Sequence, residues 1–139
     1  MTNPLTKPRS GGCHCGAVRF EADLPDSVVA LSCNCSICAM TGFIHVIVDK
    51  ADFRILSGED NQIEYRFNTG VAKHLFCKTC GVKSFYHPRS HPDGISANLR
   101  CFDADQGIAG RIEDFDGANW EDNVGDINPN LEPSGATHA

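Results

Sequence analysis

Seven of the eight cysteines in this chain of 139 residues fall into three short turns, and no other feature restricts the possible folds as much. The turns are Cys13-His14-Cys15-Gly16, Cys33-Asn34-Cys35-Ser36-Ile37-Cys38 and Cys77-Lys78-Thr79-Cys80-Gly81. Thiols one or two residues apart are poorly placed to staple distant strands as disulfides, but they can wrap a single ion. Zinc sites use thiolates in tetrahedral array, and ligands adjacent in sequence lower the cost of gathering them. Residues 1–12 lack the apolar h-region of a secretory signal. The expected location is therefore the cytoplasm, a reducing compartment in which disulfides are rare. Two Zn²⁺ per chain are expected, one structural and one catalytic.

Gly16 and Gly81 come directly after the second cysteine of their turns, where a positive φ lets the backbone bend beneath a metal. These two knuckles supply Cys13, Cys15, Cys77 and Cys80, four thiolates that complete a structural site. Cys33, Cys35 and Cys38 supply three, and three protein ligands with a vacant fourth position describe a catalytic zinc. Spacing leaves other arrangements open. Cys101, read as a small buried hydrophobe, would instead close the second site if it joined Cys33, Cys35 and Cys38. In a rival partition Cys35, Cys38, Cys77 and Cys80 share one metal, leaving Cys13, Cys15, Cys33 and Cys101 for the other.

The formal charge of -6, with Lys and Arg scattered singly, offers no basic stripe for a phosphate backbone. Nucleic acid is thus not an expected partner. Seven thiolates and two Zn²⁺ would make the chain more acidic still. No apolar run approaches the roughly 18 residues of a membrane span, so no membrane association is expected.

Between the turns, apolar residues alternate or run briefly before turn residues, which is the pattern of short strands. Strands are expected at Ala17–Ala22, Val28–Cys33, Phe43–Val48, Phe53–Ser57, Ile63–Phe67, Lys73–Phe76, Lys83–Tyr86 and Gly94–Leu99. Short helical turns are expected near Cys35–Met40 and Trp120–Asn123. The fold class is mainly β, with residues 1–9 and 123–139 as flexible tails around one zinc-binding domain at 10–122.

The three cysteine motifs, in the order Gly12-Cys13-His14-Cys15-Gly16-Ala17-Val18-Arg19-Phe20, Cys33–Cys38 and Phe76-Cys77-Lys78-Thr79-Cys80-Gly81, resemble the glutathione-dependent formaldehyde-activating enzyme and centromere protein V family. The later stretches Ser84–Ser90, Asn98–Asp103 and Phe115–Glu121 look nearer the centromere protein V branch. The resemblance implies a β-tent-like fold of short antiparallel strands around zinc. It places structural zinc on Cys13, Cys15, Cys77 and Cys80, and catalytic zinc on Cys33, Cys35 and Cys38. It also implies a carbon–sulfur lyase activity, S-(hydroxymethyl)glutathione synthase-like, with a small-molecule thiol and an aldehyde as partners.

Several residues outside the cysteine turns bear on function. His14 reads as a spacer between two ligands. His45, in the strand just after the open cluster, is the candidate general base. His87, Arg89 and His91 form a Pro-bounded loop in which Arg89 could hold a ligand carboxylate or phosphate. Phe115 and Trp120 are expected to pin the C-terminal segment to the sheet. A non-catalytic zinc-stabilised binding module is the alternative to an enzyme. A zinc deaminase is disfavoured because no H-x-E motif and no Pro before Cys77 is present.

Overall fold

The computed structural model describes residues 6–67, 70–89, 91, 93–104 and 108–116. Two sheets carry the fold. The smaller has the order β1 (Lys7–Gly12), β2 (Arg19–Leu24), β5 (Phe53–Ser57), all antiparallel. The larger has seven strands in the order β10 (Ala109–Phe115), β3 (Ser27–Cys33), β4 (Ile44–Asp49), β9 (Gly94–Asn98), β8 (Phe85–His87), β7 (Lys73–Cys77), β6 (Gln62–Tyr65). Its pairings are antiparallel except β10 with β3, which is parallel. One helix, α1 (Ser36–Thr41), follows β3 and ends at Gly42 in the left-handed conformation. The mainly β expectation is met, with that one parallel pairing as the departure from it.

Two of these strands fall outside the expected set. β1 begins inside the stretch expected as a tail, and residues 7–9 form its first half. Its sequence, Lys-Pro-Arg-Ser-Gly-Gly, has no apolar alternation. Two of its buried positions, Gly11 and Gly12, carry no side chain, and a methyl at Gly11 would collide with the Cys101 carbonyl and the Phe20 ring. Buried Arg9 donates to the Leu24 carbonyl at 3.2 Å and to Asp26 at 2.6 Å, tying β1 to the β2–β3 turn. β10 carries an exposed Ile112 and is held mainly by its ladder to β3. Phe115 does pin this segment, packing on Leu31, Ile47 and Cys33. Trp120 and residues 123–139 lie outside the described residues.

The small sheet docks on one face of the large one through aromatic contacts. Phe20 of β2 is fully buried and stacks on Phe53, and meets Phe85 and Phe102 edge-on. Around it lie Val18, Ala22, Leu24, Val28, Ala30, Ile44, Val46 and Ile95, a continuous core. β4, an inner strand of the large sheet, is covered on both faces. That accounts for its unbroken apolar run around His45.

The other face of the large sheet carries several buried polar side chains, which is unusual and bears on function. Register places Tyr65, His74, Tyr86, Ser96 and Ile47 opposite one another across β6, β7, β8, β9 and β4. His74, Tyr86 and Ser96 in this row are all buried, as is His45 two residues before Ile47 on the same face.

Candidate metal centres

The first cluster joins the two sheets. One knuckle lies between β1 and β2, the other directly after β7, and the two repeat the same backbone geometry. The Cys13 N–H donates to the Val18 carbonyl at 3.0 Å, and the Cys77 N–H donates to the Val82 carbonyl at 3.2 Å. Gly16 has φ +83° and Gly81 has φ +77°, so each turn is reversed by a residue free of the Cβ penalty. The sulfurs of Cys13, Cys15, Cys77 and Cys80 lie within 4.8 Å of one another. Cys13 and Cys15 are 3.6 Å apart, and Cys15 and Cys77 are 3.7 Å apart. Metal–thiolate bonds of about 2.3 Å at tetrahedral angles set sulfurs about 3.8 Å apart, so the spacing suits a metal at the centre. Backbone N–H groups point at the sulfurs: Val18 at Cys13 at 3.2 Å, and Thr79 and Cys80 at Cys77 at 3.3 and 3.5 Å. The Cys80 N–H, followed by that of Thr79, holds the Cys77 thiol below its ordinary range against the effect of burial.

The second cluster is local. Cys33 ends β3, Cys35 is the N-cap of α1, and Cys38 is the buried residue of that helix. Their sulfurs also lie within 4.8 Å of one another. Three thiols this close cannot all ionise without a cation between them. Hydrogen bonding from Cys33 and then Cys38 pulls the Cys35 thiol far down, while Cys38 is pushed up by Cys33, by Cys35 and by burial. A divalent metal resolves that conflict, and the donor set fits one.

Both sets of cysteines therefore assemble as sites that could hold a metal ion, and the rival partition does not. Cys101 joins neither. Its thiol lies 3.8 Å from the Lys83 carbonyl, and the charges acting on it come from Cys13 and Cys80 rather than from the open trio. Burial is the main cause that pushes it up to about 11.

A cleft of about 650 Å³ opens beside the second cluster. Cys33 and Cys38 form part of its wall, Phe43, Ile44 and Phe115 supply apolar surface, and Arg100 and Asp114 stand at its exposed rim. His87, Arg89 and His91 do not line it. His87 ends β8, and His91 is fully buried rather than displayed in a binding loop. His14 is exposed, as a spacer would be.

His45 stands directly behind the trio. Its Nε2 is 3.1 Å from the Cys38 sulfur, and its Nδ1 is 2.9 Å from the Ser96 hydroxyl and 3.3 Å from that of Tyr86. Burial, with Lys83 nearby, depresses it to about 3, so the ring is neutral. A neutral ring carries one N–H, so of the nitrogen at Cys38 and the nitrogen at the two hydroxyls one donates and the other accepts. Beyond it lies Lys83, 4% exposed, its Nζ 2.8 Å from His74 Nδ1 and 4.1 Å from the centre of the Tyr86 ring. Sequence reading missed Lys83, His74, Tyr86 and Ser96 as a group, since only register and packing bring them together. The one available signal was a polar residue on each of several strands in otherwise apolar surroundings.

The fold and the clusters define a class: a mainly β protein that gathers seven cysteines into one four-sulfur and one three-sulfur site. The family profile of the glutathione-dependent formaldehyde-activating enzyme matches residues 8–117, and the chain belongs to that family. The match does not single out the centromere protein V branch. A Halomonas elongata protein provisionally named a glutathione-dependent formaldehyde-activating enzyme is 27% identical over 103 residues. The alignment covers 68% of this chain, which spans only 66% of that relative's length. The crystal structure of a Rhodobacter sphaeroides protein, a structural-genomics target, superposes with a TM-score of 0.62 at 34% identity. It covers 75% of this chain and 99% of its own. Among the described residues no helix is long and apolar enough to cross a membrane.

Proposed function

We propose that the chain is a zinc-dependent enzyme that joins a low-molecular-weight thiol to a small aldehyde, of the formaldehyde type, and runs the reverse carbon–sulfur cleavage. Glutathione is the thiol that the family name points to. The observation that carries the reading is the difference between the clusters: four sulfurs in one, three beside a cleft in the other. In this reading Cys13, Cys15, Cys77 and Cys80 hold a structural zinc, and Cys33, Cys35 and Cys38 hold a catalytic one with a position left for substrate. Zinc, when bound there, supplies Lewis acidity that keeps a thiol ionised at neutral pH.

The chain's own groups do the rest. The cleft receives the thiol, with Phe43, Ile44 and Phe115 excluding water from one side. The thiol sulfur forms the new S–C bond as the carbonyl π pair moves to oxygen, and the proton lost by the thiol ends on that oxygen. His45 is the proposed proton carrier. Its ring touches Cys38 on one nitrogen and the Ser96 and Tyr86 hydroxyls on the other, so it can pass a proton between site and sheet. Arg100 at the rim suits a carboxylate of the thiol.

Because thiols add to formaldehyde unaided, the test must measure exchange rather than yield. With ¹³C-formaldehyde and glutathione, zinc-loaded protein should speed exchange between free and thiol-bound carbon in magnetisation-transfer NMR, and Cys38→Ser should abolish the gain. Full acceleration by a folded Cys38→Ser protein would sink the proposal.

A further inference from the structure

Lys83 is the buried charge that the mechanism leaves unused. Its ammonium is enclosed by the rings of Tyr86, Phe43 and Phe76, at 4.1, 4.8 and 5.7 Å from their centres. Among the described residues no carboxylate pairs with it, and its one hydrogen-bond acceptor is the neutral His74 ring. Burying an ammonium without a carboxylate is costly, and a methionine of similar length would fill the same cage. Three ring faces offset part of that cost. The fold alone gives no reason for a cation here.

The open cluster gives one. His74 from β7 and Tyr86 from β8 touch the Lys83 ammonium. Tyr86 leads on to the open cluster through His45 of β4, whose Nε2 is 3.1 Å from the Cys38 sulfur, and Phe43 of the cage also lines the cleft. Burial lowers the Lys83 pKa to about 8, and Cys38, Cys35 and Cys33 act against that fall as its counter-charges. Three thiolates around one Zn²⁺ carry a net charge of -1, and a fourth thiolate makes it -2. We infer that Lys83 is a positioning residue whose buried ammonium favours the thiolate over the neutral thiol of substrate at the open cluster. The inference rests on the reading of that cluster as a thiol site, and it assigns to Lys83 the positive charge behind it.

The test compares wild type with Lys83→Met after loading both with Co²⁺, whose sulfur-to-metal absorption reports a fourth thiolate without any turnover. 2-Mercaptoethanol, which carries no other charge, is titrated from pH 6 to 10. At pH 7 Lys83→Met should bind about tenfold more weakly, equivalent to about one unit in the apparent pKa of the bound thiol. Wild-type affinity should fall as the pH rises through the Lys83 pKa, and Lys83→Met should lack that alkaline fall. Metal content and melting temperature should not drop. His74→Phe keeps the stack on Tyr86 but deletes the acceptor, so its alkaline fall should move to lower pH. Equal affinity with an unchanged pH profile in Lys83→Met would overturn the inference while leaving the thiol site intact. Loss of metal and a lower melting temperature in that variant, with the His74→Phe profile unmoved, would make Lys83 structural and overturn it too. If wild type binds no thiol at all, this inference and the proposed function fall together.

Discussion

Replacing Cys77 and Cys80 together with serine removes half of the cluster that joins the two sheets, and its cost follows from chain topology. Cys15 and Cys77 are 62 residues apart in sequence and 3.7 Å apart at sulfur. A cross-link closing a loop of that length removes about 4 kcal/mol of unfolded-chain entropy, on the chain-entropy relation used for disulfides. The same relation gives about 2 kcal/mol for the six residues from Cys33 to Cys38. The entropic part alone is a large share of the 5–15 kcal/mol that keeps a typical domain folded. At about 4 °C per kcal/mol for a domain of this size, the double variant should melt about 15 °C lower than wild type. Cys38→Ser should lose no more than half of that and stay folded. The assay is thermal unfolding by circular dichroism of zinc-loaded proteins, with zinc counted by mass spectrometry: two per chain for wild type, one for each variant. A Cys77→Ser/Cys80→Ser protein melting within a few degrees of wild type would refute the reasoning. So would an equal fall in Cys38→Ser, because neither result is compatible with one cluster being long-range and the other local.

Three other perturbations test the frame around the sites. Phe20→Ala removes a fully buried ring that touches Phe53, Phe85 and Phe102, and should cost about 3–5 kcal/mol in urea unfolding. Gly11→Ala drives a methyl into the Cys101 carbonyl and the Phe20 ring, and should cost about 1–3 kcal/mol by the same measurement; a neutral result would mean that β1 can shift away. Hydrogen bonds from Arg54 hold the Asp23 carboxyl below the ordinary carboxylate range, so this partly exposed pair stabilises the fold at neutral pH. Its contribution is lost as the pH falls below about 4 and through the depressed Asp23 value. Arg54→Gln should therefore cost about 1 kcal/mol at pH 7 and nothing in strong acid, and a gap that stays constant with pH would contradict it.

The strands that could be read from sequence are those with apolar residues to alternate. β5 lies at Phe53–Ser57 as expected, and β2, β3, β4, β6, β7, β8 and β9 start and end within about two residues of expectation, the usual uncertainty at element ends. β1 was illegible because its buried positions are Arg9, Gly11 and Gly12, which carry no hydrophobic signal; Gly11 is required by the close approach of Cys101 and Phe102. The cysteine clusters were legible because their chemistry is written in short spacing. What spacing could not decide was the grouping, and the structure brings Cys13, Cys15, Cys77 and Cys80 together through the matching knuckles at Cys13–Val18 and Cys77–Val82. Most residues behind the open cluster were illegible for a different reason. His45 was legible from its place just after the open cluster, but His74, Lys83, Tyr86 and Ser96 come from three strands and one connecting segment, and each alone resembles an ordinary polar residue in a short strand.

The two clusters divide labour along the same line. All four sulfurs of the first come from segments that belong to different sheets, so holding them together is the same event as docking the sheets. The three sulfurs of the second need only the end of β3 and one turn of α1. From outside they are steadied at Asn34, whose N–H donates to the Phe115 carbonyl at 3.2 Å, and the large sheet supplies their surroundings: a neutral imidazole at Cys38, two hydroxyls behind it, and a caged ammonium further in. Cysteine substitutions in the first cluster should therefore act on stability, and substitutions among the buried polar residues should act on the chemistry proposed for the second. Lys83→Met separates the two most sharply, because it removes a charge the fold does not need and leaves every sulfur in place.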